Sequence, residues 1–194
     1  MTDSDLSDFS AFFPALKKGL VRHLVENAVR TDGPFTLASG AVADWYLDAR
    51  QTTFSGDGAV LVARCVLEVM SPHASAVGGM TMGADPIAVA TVAIAALDDR
   101  PLKAFSVRKQ AKEHGTGGRI VGPLDETDRA VVVEDTTTTG KSMLGAVEAL
   151  RAEGIGVVQA IAIVDRSDGV AGRLMGDYEV PFMSIVVPDD LGLV

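Results

Sequence analysis

Residues 131–142 read Val-Val-Val-Glu-Asp-Thr-Thr-Thr-Thr-Gly-Lys-Ser and are the most informative stretch of this 194-residue chain. The valines predict a buried strand that delivers Glu134 and Asp135 to its C-terminal end. Hydroxyls, a glycine and a lysine follow, before a helix predicted from Gly140 to Glu153. Backbone N–H groups of a tight turn and of a helix N-terminus converge on an anion, and hydroxyls add donors. The stretch therefore predicts a phosphate cradle with two acids at its lip, the alternative being a Thr-rich helix cap after a surface strand.

Short apolar runs alternate with segments of helical period along the rest of the chain, which is typical of βαβ units around a mostly parallel sheet. The predicted fold class is α/β. Phe35–Leu37 and Trp45–Leu47 predict short strands that form an antiparallel appendage to this sheet. The other predicted elements are helices at Ser10–Val29, at Asp57–Met70 and from Pro86, and strands at Ser75–Gly79, Ala104–Val107, Gly156–Val164 and Phe182–Val187.

Composition narrows the class of protein. The chain carries 17 Lys+Arg against 26 Asp+Glu, a net charge of −9, and one cysteine, Cys65. One thiol excludes a disulfide scaffold, and the acidic balance argues against nucleic-acid binding, which needs clustered cations. The most apolar helical stretch, Ile87–Leu97, is about half as long as a bilayer span. We expect one soluble, cytoplasmic domain covering residues 1–194 that binds neither nucleic acid nor membrane.

The cradle is not a nucleotide P-loop, because that motif needs a glycine five positions before Gly140, where this chain has Asp135. A carboxylate there would repel a triphosphate. Two carboxylates instead suit a vicinal diol, since they accept its O–H donors while the cradle holds a phosphate on the same sugar. A ribose 5-phosphate fits this arrangement.

A basic segment lies between Arg100 and Arg119. It holds six cations against one acid, Glu113, within an acidic chain, and three glycines follow near its end. We expect a mobile lid at about residues 108–119 that closes over a polyanion, the alternative being a solvated loop. The six cations are Arg100, Lys103, Arg108, Lys109, Lys112 and Arg119.

Residues 131–142 resemble the 5-phosphoribosyl 1-diphosphate (PRPP) signature of type I phosphoribosyltransferases. Further segments together resemble the orotate phosphoribosyltransferase family over about residues 10–190: they are 35–40, 46–48, 79–86, 108–115 and 164–166. The resemblance implies a single-domain type I phosphoribosyltransferase fold with an N-terminal helix and hood at about 9–50 and a core at about 57–190. It also implies transfer of the phosphoribosyl group from PRPP to orotate, giving orotidine 5′-phosphate and pyrophosphate in pyrimidine biosynthesis.

The resemblance assigns roles residue by residue. Lys112 and His114 are the expected catalytic residues, because they would stabilise charge on the leaving diphosphate. Arg166 is expected to bind orotate through the bidentate geometry of its guanidinium, and the resemblance also assigns Thr138 to the base. The alternative for Arg166 is a surface ion pair with Asp165. The PRPP-binding residues are expected to be Arg108, Lys109, Lys112, His114, Glu134, Asp135, Thr136, Thr137, Thr138, Thr139, Gly140, Lys141 and Ser142.

The resemblance further implies a homodimer with shared active sites and a Mg²⁺ cofactor held mainly by the substrate. Some family members carry lysine where this chain has Ala38 and Gly83. A purine-specific phosphoribosyltransferase shares the cradle and is the second enzyme hypothesis, and a nucleic-acid-binding regulator with this fold is the third. Among other candidate residues, His23 and His73 are expected at the surface or at helix caps, and Cys65 in the core.

Overall fold

The computed structural model describes residues 3–36, 40, 42–110 and 118–193, and the side chains of its first helix from residue 12 onward. The chain begins with helix α1 (Asp3–Asn27). Two short antiparallel ribbons follow within residues 29–50, which we call the hood. In chain order their strands are β1 (Val29–Arg30), β2 (Phe35–Thr36), β3 (Val42–Ala43) and β4 (Tyr46–Leu47). β1 pairs with β4, and β2 pairs with β3.

The remaining elements alternate between helices and strands. They are α2 (Arg50–Thr53), α3 (Gly56–Val69), β5 (Ala76–Met80), α4 (Ala84–Leu97), β6 (Lys103–Val107), β7 (Ile120–Val121), β8 (Arg129–Thr137), α5 (Lys141–Ala152), β9 (Gly156–Asp165), α6 (Val170–Asp177), β10 (Phe182–Val186) and a 3-10 helix (Pro188–Leu191). Within the described residues, six strands form one sheet in the order β10-β9-β8-β5-β6-β7. Neighbouring strands are parallel except β6 and β7. The predicted α/β class with a mostly parallel sheet is confirmed.

Side chains of the central strands alternate between two apolar layers, because successive residues of a strand point to opposite faces. Val131 and Val133 pack with α1, α3 and α4 on one face. Ala130 and Val132 pack with α5 and α6 on the other face. The near-continuous apolar run of β8 is therefore explained by burial on both sides.

The chain leaves the middle of the sheet in two directions. β5 continues through α4 to β6, whereas β8 continues through α5 to β9, and the two helices lie on opposite faces. Parallel α/β sheets bind ligands in the crevice at such a switch point, outside the carboxyl ends of the strands. The fold therefore places a crevice at the ends of β5 and β8.

β8 is longer than the sequence predicts. The valine run indicated that the strand ends before the acids, but the strand continues through Glu134 and Asp135 to Thr137, which pairs with Asp165 of β9. Pairing with β5 stops earlier, at Gly78 opposite Val132. Among the described residues, the C-terminal end of β8 therefore pairs with β9 on one edge only, and its other edge faces the crevice.

The predicted hood needs correction. Its strands pair only with one another among the described residues, so they are not an appendage to the main sheet. Trp45 precedes β4 instead of beginning it, and Leu37 lies outside the described residues. Two-residue strands carry no sequence period, which explains why β1 and β3 were not predicted.

Other sequence predictions have mixed outcomes. α1 begins at Asp3, ahead of the predicted Ser10, and α4 begins at Ala84, two residues before Pro86. Cys65 is buried and His73 is exposed, as predicted. His23 is not at the surface but is buried. Its ring Nδ1 lies 3.1 Å from Thr52 Oγ1, and its Nε2 lies 3.4 Å from the Oγ of Ser55, the N-cap residue of α3. No described helix is long and apolar enough to cross a membrane.

Candidate active site

A cavity of about 420 Å³ occupies the crevice at the ends of β5 and β8. Its walls come from the hood, the loop after β5, the end of β8, the lid segment and the first turn of α5. The lining residues are Tyr46, Leu47, Asp48, Ala49, Arg50, Met80, Thr81, Met82, Gly83, Lys109, Glu134, Asp135, Thr136 and Ser142. The cavity therefore gathers residues from both halves of the chain around the predicted pair of acids.

Glu134 and Asp135 are both buried in the cavity wall. Burial raises the pKa of Glu134 to about 8, the charge of Asp135 adds to the increase, and Lys109 opposes it. Burial also raises the pKa of Asp135, against the backbone N–H of Thr136, which donates to Asp135 Oδ1 at 2.7 Å. Glu134 Oε2 is buried without a hydrogen-bond partner among the described residues. These acids are suited to accept hydrogen bonds from a ligand.

An ion pair at the cavity rim was not predicted from the sequence. Arg50 Nε donates to Asp48 Oδ1 at 2.7 Å and Arg50 Nη2 to Asp48 Oδ2 at 3.2 Å, a bidentate contact that lowers the pKa of Asp48. The positive charge of Arg50 also favours the ionised form of Asp135. The signal was the Asp-x-Arg spacing at the end of the Tyr46–Asp48 segment.

The segment predicted to be a phosphate cradle is a tight turn between β8 and α5. Gly140 has φ +75°, a conformation that favours glycine, and its N–H donates to Thr137 Oγ1 at 3.0 Å. Thr137 is buried and its hydroxyl accepts this bond, so it stabilises the turn. Thr136 is half-buried in the cavity wall. The remaining predicted residues are exposed at the N-terminus of α5: Thr138, Thr139, Lys141 and Ser142.

Gly83 lies directly against the two acids. A Cβ atom on this residue would be 2.7 Å from Asp135 Oδ1 and 3.0 Å from Glu134 Oε1. At this position, where the resemblance implies lysine in some family members, any side chain would require the two carboxylates to move. Ala38, the other such position, lies outside the described residues.

The lid segment is described at its two ends. The Arg108 N–H donates to the Arg119 carbonyl at 2.8 Å and Arg119 Nε donates back to the Arg108 carbonyl at 2.9 Å, which extends the β6–β7 pairing. Lys109 reaches the cavity. The predicted catalytic residues Lys112 and His114 lie outside the described residues.

Two cations of the basic segment are not part of this site, which corrects the prediction of one cluster. Lys103, at the start of β6, bridges Asp125 and Asp128 at 2.8 Å each. Arg100 donates to backbone carbonyls at the end of α3, both at 3.4 Å. Both residues lie at the end of the sheet opposite the cavity, where they connect neighbouring segments.

Arg166 follows β9 at the same edge of the sheet as the cradle, and its N–H donates to the Thr137 carbonyl at 2.8 Å. It is half-buried, and burial lowers its pKa. Arg166 does not line the cavity described above but a neighbouring one of about 350 Å³. Asp165 is buried and accepts from the Ser167 N–H, and no ion pair joins Asp165 to Arg166 among the described residues.

Known proteins resemble this chain over nearly its whole length. No protein-family profile matches it. The orotate phosphoribosyltransferase of Streptomyces coelicolor is 44% identical over 175 residues, which cover 90% of this chain and 96% of that protein. An orotate phosphoribosyltransferase structure from Mycobacterium tuberculosis has a TM-score of 0.82 at 37% identity, covering 92% of this chain and 99% of that one. A structure of the same enzyme in complex with PRPP has a TM-score of 0.77 at 34% identity, with the same coverage.

Proposed function

Because the chain belongs to the orotate phosphoribosyltransferase family, a family of pentosyltransferases (EC 2.4.2.10), we propose that it transfers the 5-phosphoribosyl group from PRPP to orotate. The products are orotidine 5′-phosphate and pyrophosphate, in pyrimidine biosynthesis. The observation that carries the proposal is the pair of buried acids beside an exposed cradle at the switch point of the sheet.

Glu134 and Asp135 accept hydrogen bonds from the two ribose hydroxyls. The unpartnered Glu134 Oε2 supports this role, since a buried acceptor without a partner is stabilised when a ligand supplies a donor. The 5-phosphate binds at the N-terminus of α5, where Thr138, Thr139 and Ser142 add hydroxyl donors to the backbone N–H groups. Thr137 stabilises the turn that carries this site, because its hydroxyl accepts a hydrogen bond from the Gly140 N–H.

Cations bind the diphosphate that leaves. Lys109 lines the cavity and Arg108 precedes it, while Lys112 and His114 follow in the lid sequence. Negative charge accumulates on the diphosphate as the bond to ribose C1 breaks, so preorganised donors there lower the barrier. We assign Lys112 and His114 as the catalytic residues and residues 108–119 as the lid.

The acids also fit a role beside Mg²⁺, which prefers oxygen ligands and retains several of its waters. Glu134 and Asp135 offer carboxylate oxygens, but the described residues contain no cluster of three metal-ligating side chains. The ion would therefore be held mainly by the diphosphate and the ribose hydroxyls. When bound, it supplies positive charge that stabilises the leaving group.

Arg166 and Thr138 bind the base, and the enzyme acts as a cytoplasmic, single-domain homodimer with shared active sites. One exposed apolar surface supports a second copy of the chain. Val89 of α4 and Val121 of β7 are exposed apolar side chains that line one shallow cavity. The free, buried thiol of Cys65 fits a reducing compartment.

Turnover with a panel of bases tests the proposal. The purified protein is incubated with PRPP and Mg²⁺ and with orotate, uracil, adenine or xanthine in turn, and nucleotide product is quantified. We expect product with orotate and at least about 100-fold less with each other base. Preferential turnover of adenine or xanthine would favour the purine-specific alternative, and no turnover of any base would refute transferase activity.

A further inference from the structure

An aromatic ring of the hood contacts the proposed base-binding arginine. Trp45, between β3 and β4, lies under the side chain of Arg166, whose Cζ atom is 4.4 Å from the ring centroid. Both residues are partly buried. Trp45 also packs against the apolar layer that contains α1 and α3, which restricts the motion of its side chain.

Arg166 has little else to fix its orientation. No carboxylate of the described residues lies within ion-pair distance of it, although Asp165, Asp168 and Asp189 line the same cavity. Its Nε is buried and has no hydrogen-bond partner in the described part of the chain. Its Cζ atom instead lies over the ring of Trp45, while Tyr46 acts on its charge from farther along the hood.

A stacked guanidinium keeps its donors free. The attraction to the ring acts through the face of the guanidinium, whereas its N–H groups lie in its plane and point away from the stack. Stacking also removes rotamer freedom before the ligand arrives, so less entropy is lost on binding. An ion pair with an aspartate would instead occupy the same N–H groups.

We propose that Trp45 is a positioning residue for base recognition: its ring fixes the plane of the Arg166 guanidinium so that the free N–H edge meets the anionic group of the base. This inference rests on the proposed function of Arg166. It predicts that Trp45 contributes to the preference for orotate over uracil, which lacks the carboxylate. It also separates two roles in the hood, since Tyr46 and Leu47 line the main cavity and Trp45 does not.

A double-mutant cycle tests the positioning role. Trp45→Leu removes the aromatic face and keeps an apolar side chain, and Trp45→Phe is the matched control that keeps a ring. We expect Trp45→Leu to lower kcat/KM for orotate by about 5-fold to 30-fold, which corresponds to about 1–2 kcal/mol, with kcat/KM for PRPP changed less than about 2-fold. Trp45→Phe should restore most of the loss. On an Arg166→Gln background, Trp45→Leu should cause no further loss.

A structural role for Trp45 predicts different results. If the ring only packs the hood, Trp45→Leu lowers kcat/KM for both substrates and its effect adds to that of Arg166→Gln, which overturns the proposal. Full orotate activity in Trp45→Leu also overturns it. If the parent protein makes no orotidine 5′-phosphate, the proposed function fails instead.

A measurement on the folded parent removes dependence on the Leu variant. Trp45 is the only tryptophan of the chain, so its fluorescence lifetime reports on the contact with Arg166. The lifetime is insensitive to light absorption by orotate. We expect saturating orotate to change the lifetime in the parent and not in Arg166→Gln, and uracil to have no effect. An unchanged lifetime in the parent, at orotate concentrations that saturate turnover, overturns the proposal.

Discussion

Replacing Gly83 with alanine places a methyl group against both acids of the cavity. Its Cβ atom would be 2.7 Å from Asp135 Oδ1, whereas ordinary contacts begin at 3.4 Å, so the carboxylate has to retreat by about 0.7 Å. The backbone at residue 83 is helical, with φ −59° and ψ −41°, and alanine adopts it without strain. The substitution therefore gains about 0.4–1 kcal/mol from the unfolded chain and loses about 1–3 kcal/mol to overpacking.

We expect Gly83→Ala to lower the free energy of unfolding by about 0–2.6 kcal/mol, the difference between these two effects. The effect on catalysis should be larger than this effect on stability, because displacing a binding group by about 1 Å can reduce rates about 100-fold. The expected kcat/KM for PRPP is about 10-fold to 100-fold below the parent, measured with orotate saturating. Gly176→Ala in α6 is the matched control, since nothing lies within 4 Å of its Cβ position. The control should be slightly stabilised and fully active, and a Gly83→Ala variant that behaves in the same way would refute the close contact with the acids.

Three further predictions follow from charged side chains. Glu134→Gln should raise the free energy of unfolding on the order of 2 kcal/mol at pH 8 and leave it nearly unchanged at pH 4. The reason is that the raised pKa of Glu134 makes the parent lose stability as the pH rises from about 4.5 to about 8. Thermal denaturation of parent and variant across this pH range measures the difference. Lys103→Ala should lower the melting temperature by about 2–4 °C, because it leaves the buried carboxylate of Asp128 without its cation. It should not change kcat/KM, because Lys103 lies far from the active site. A loss of turnover would instead indicate that Lys103 acts with the cations of the lid. The variants Lys112→Ala and Arg166→Ala should each be nearly inactive. When the two variants are mixed and their subunits exchange, about a quarter of parental activity should return if the active sites are shared across a two-fold axis. No recovery despite proven exchange would show that the lid and the pocket of each site belong to one subunit.

The sheet and the turn between β8 and α5 were predictable because their signals are local. The valine run of β8, the small and polar turn after it and the helical period of α5 each occupy one short window of sequence. The position of Gly140 in the turn follows from the same window. Glu134 and Asp135 were predicted to follow the strand, whereas they belong to it. The end of β8 is set by its pairing with β9, and no sequence pattern marks where that pairing stops.

The remaining features depend on residues that are distant in the sequence. Lys103 was grouped with the lid cations because its partners, Asp125 and Asp128, come more than twenty residues later. The contact of Trp45 with Arg166 joins the hood to the end of β9, and only the folded chain brings them together. The rim pair of Arg50 and Asp48 is the exception, since it is local and its spacing could have indicated it.

The assignment of Asp135 to the ribose of PRPP can be measured directly by calorimetric titration. PRPP and, separately, pyrophosphate are titrated with Mg²⁺ into the parent and into Asp135→Asn, whose folding is checked by thermal denaturation. We expect the variant to bind PRPP at least about 10-fold more weakly, as the loss of a charged hydrogen bond implies, and to bind pyrophosphate, which has no ribose, within about 2-fold of the parent. Equal PRPP affinity in both proteins, or an equal loss for PRPP and pyrophosphate, would contradict the proposed role of the buried acids.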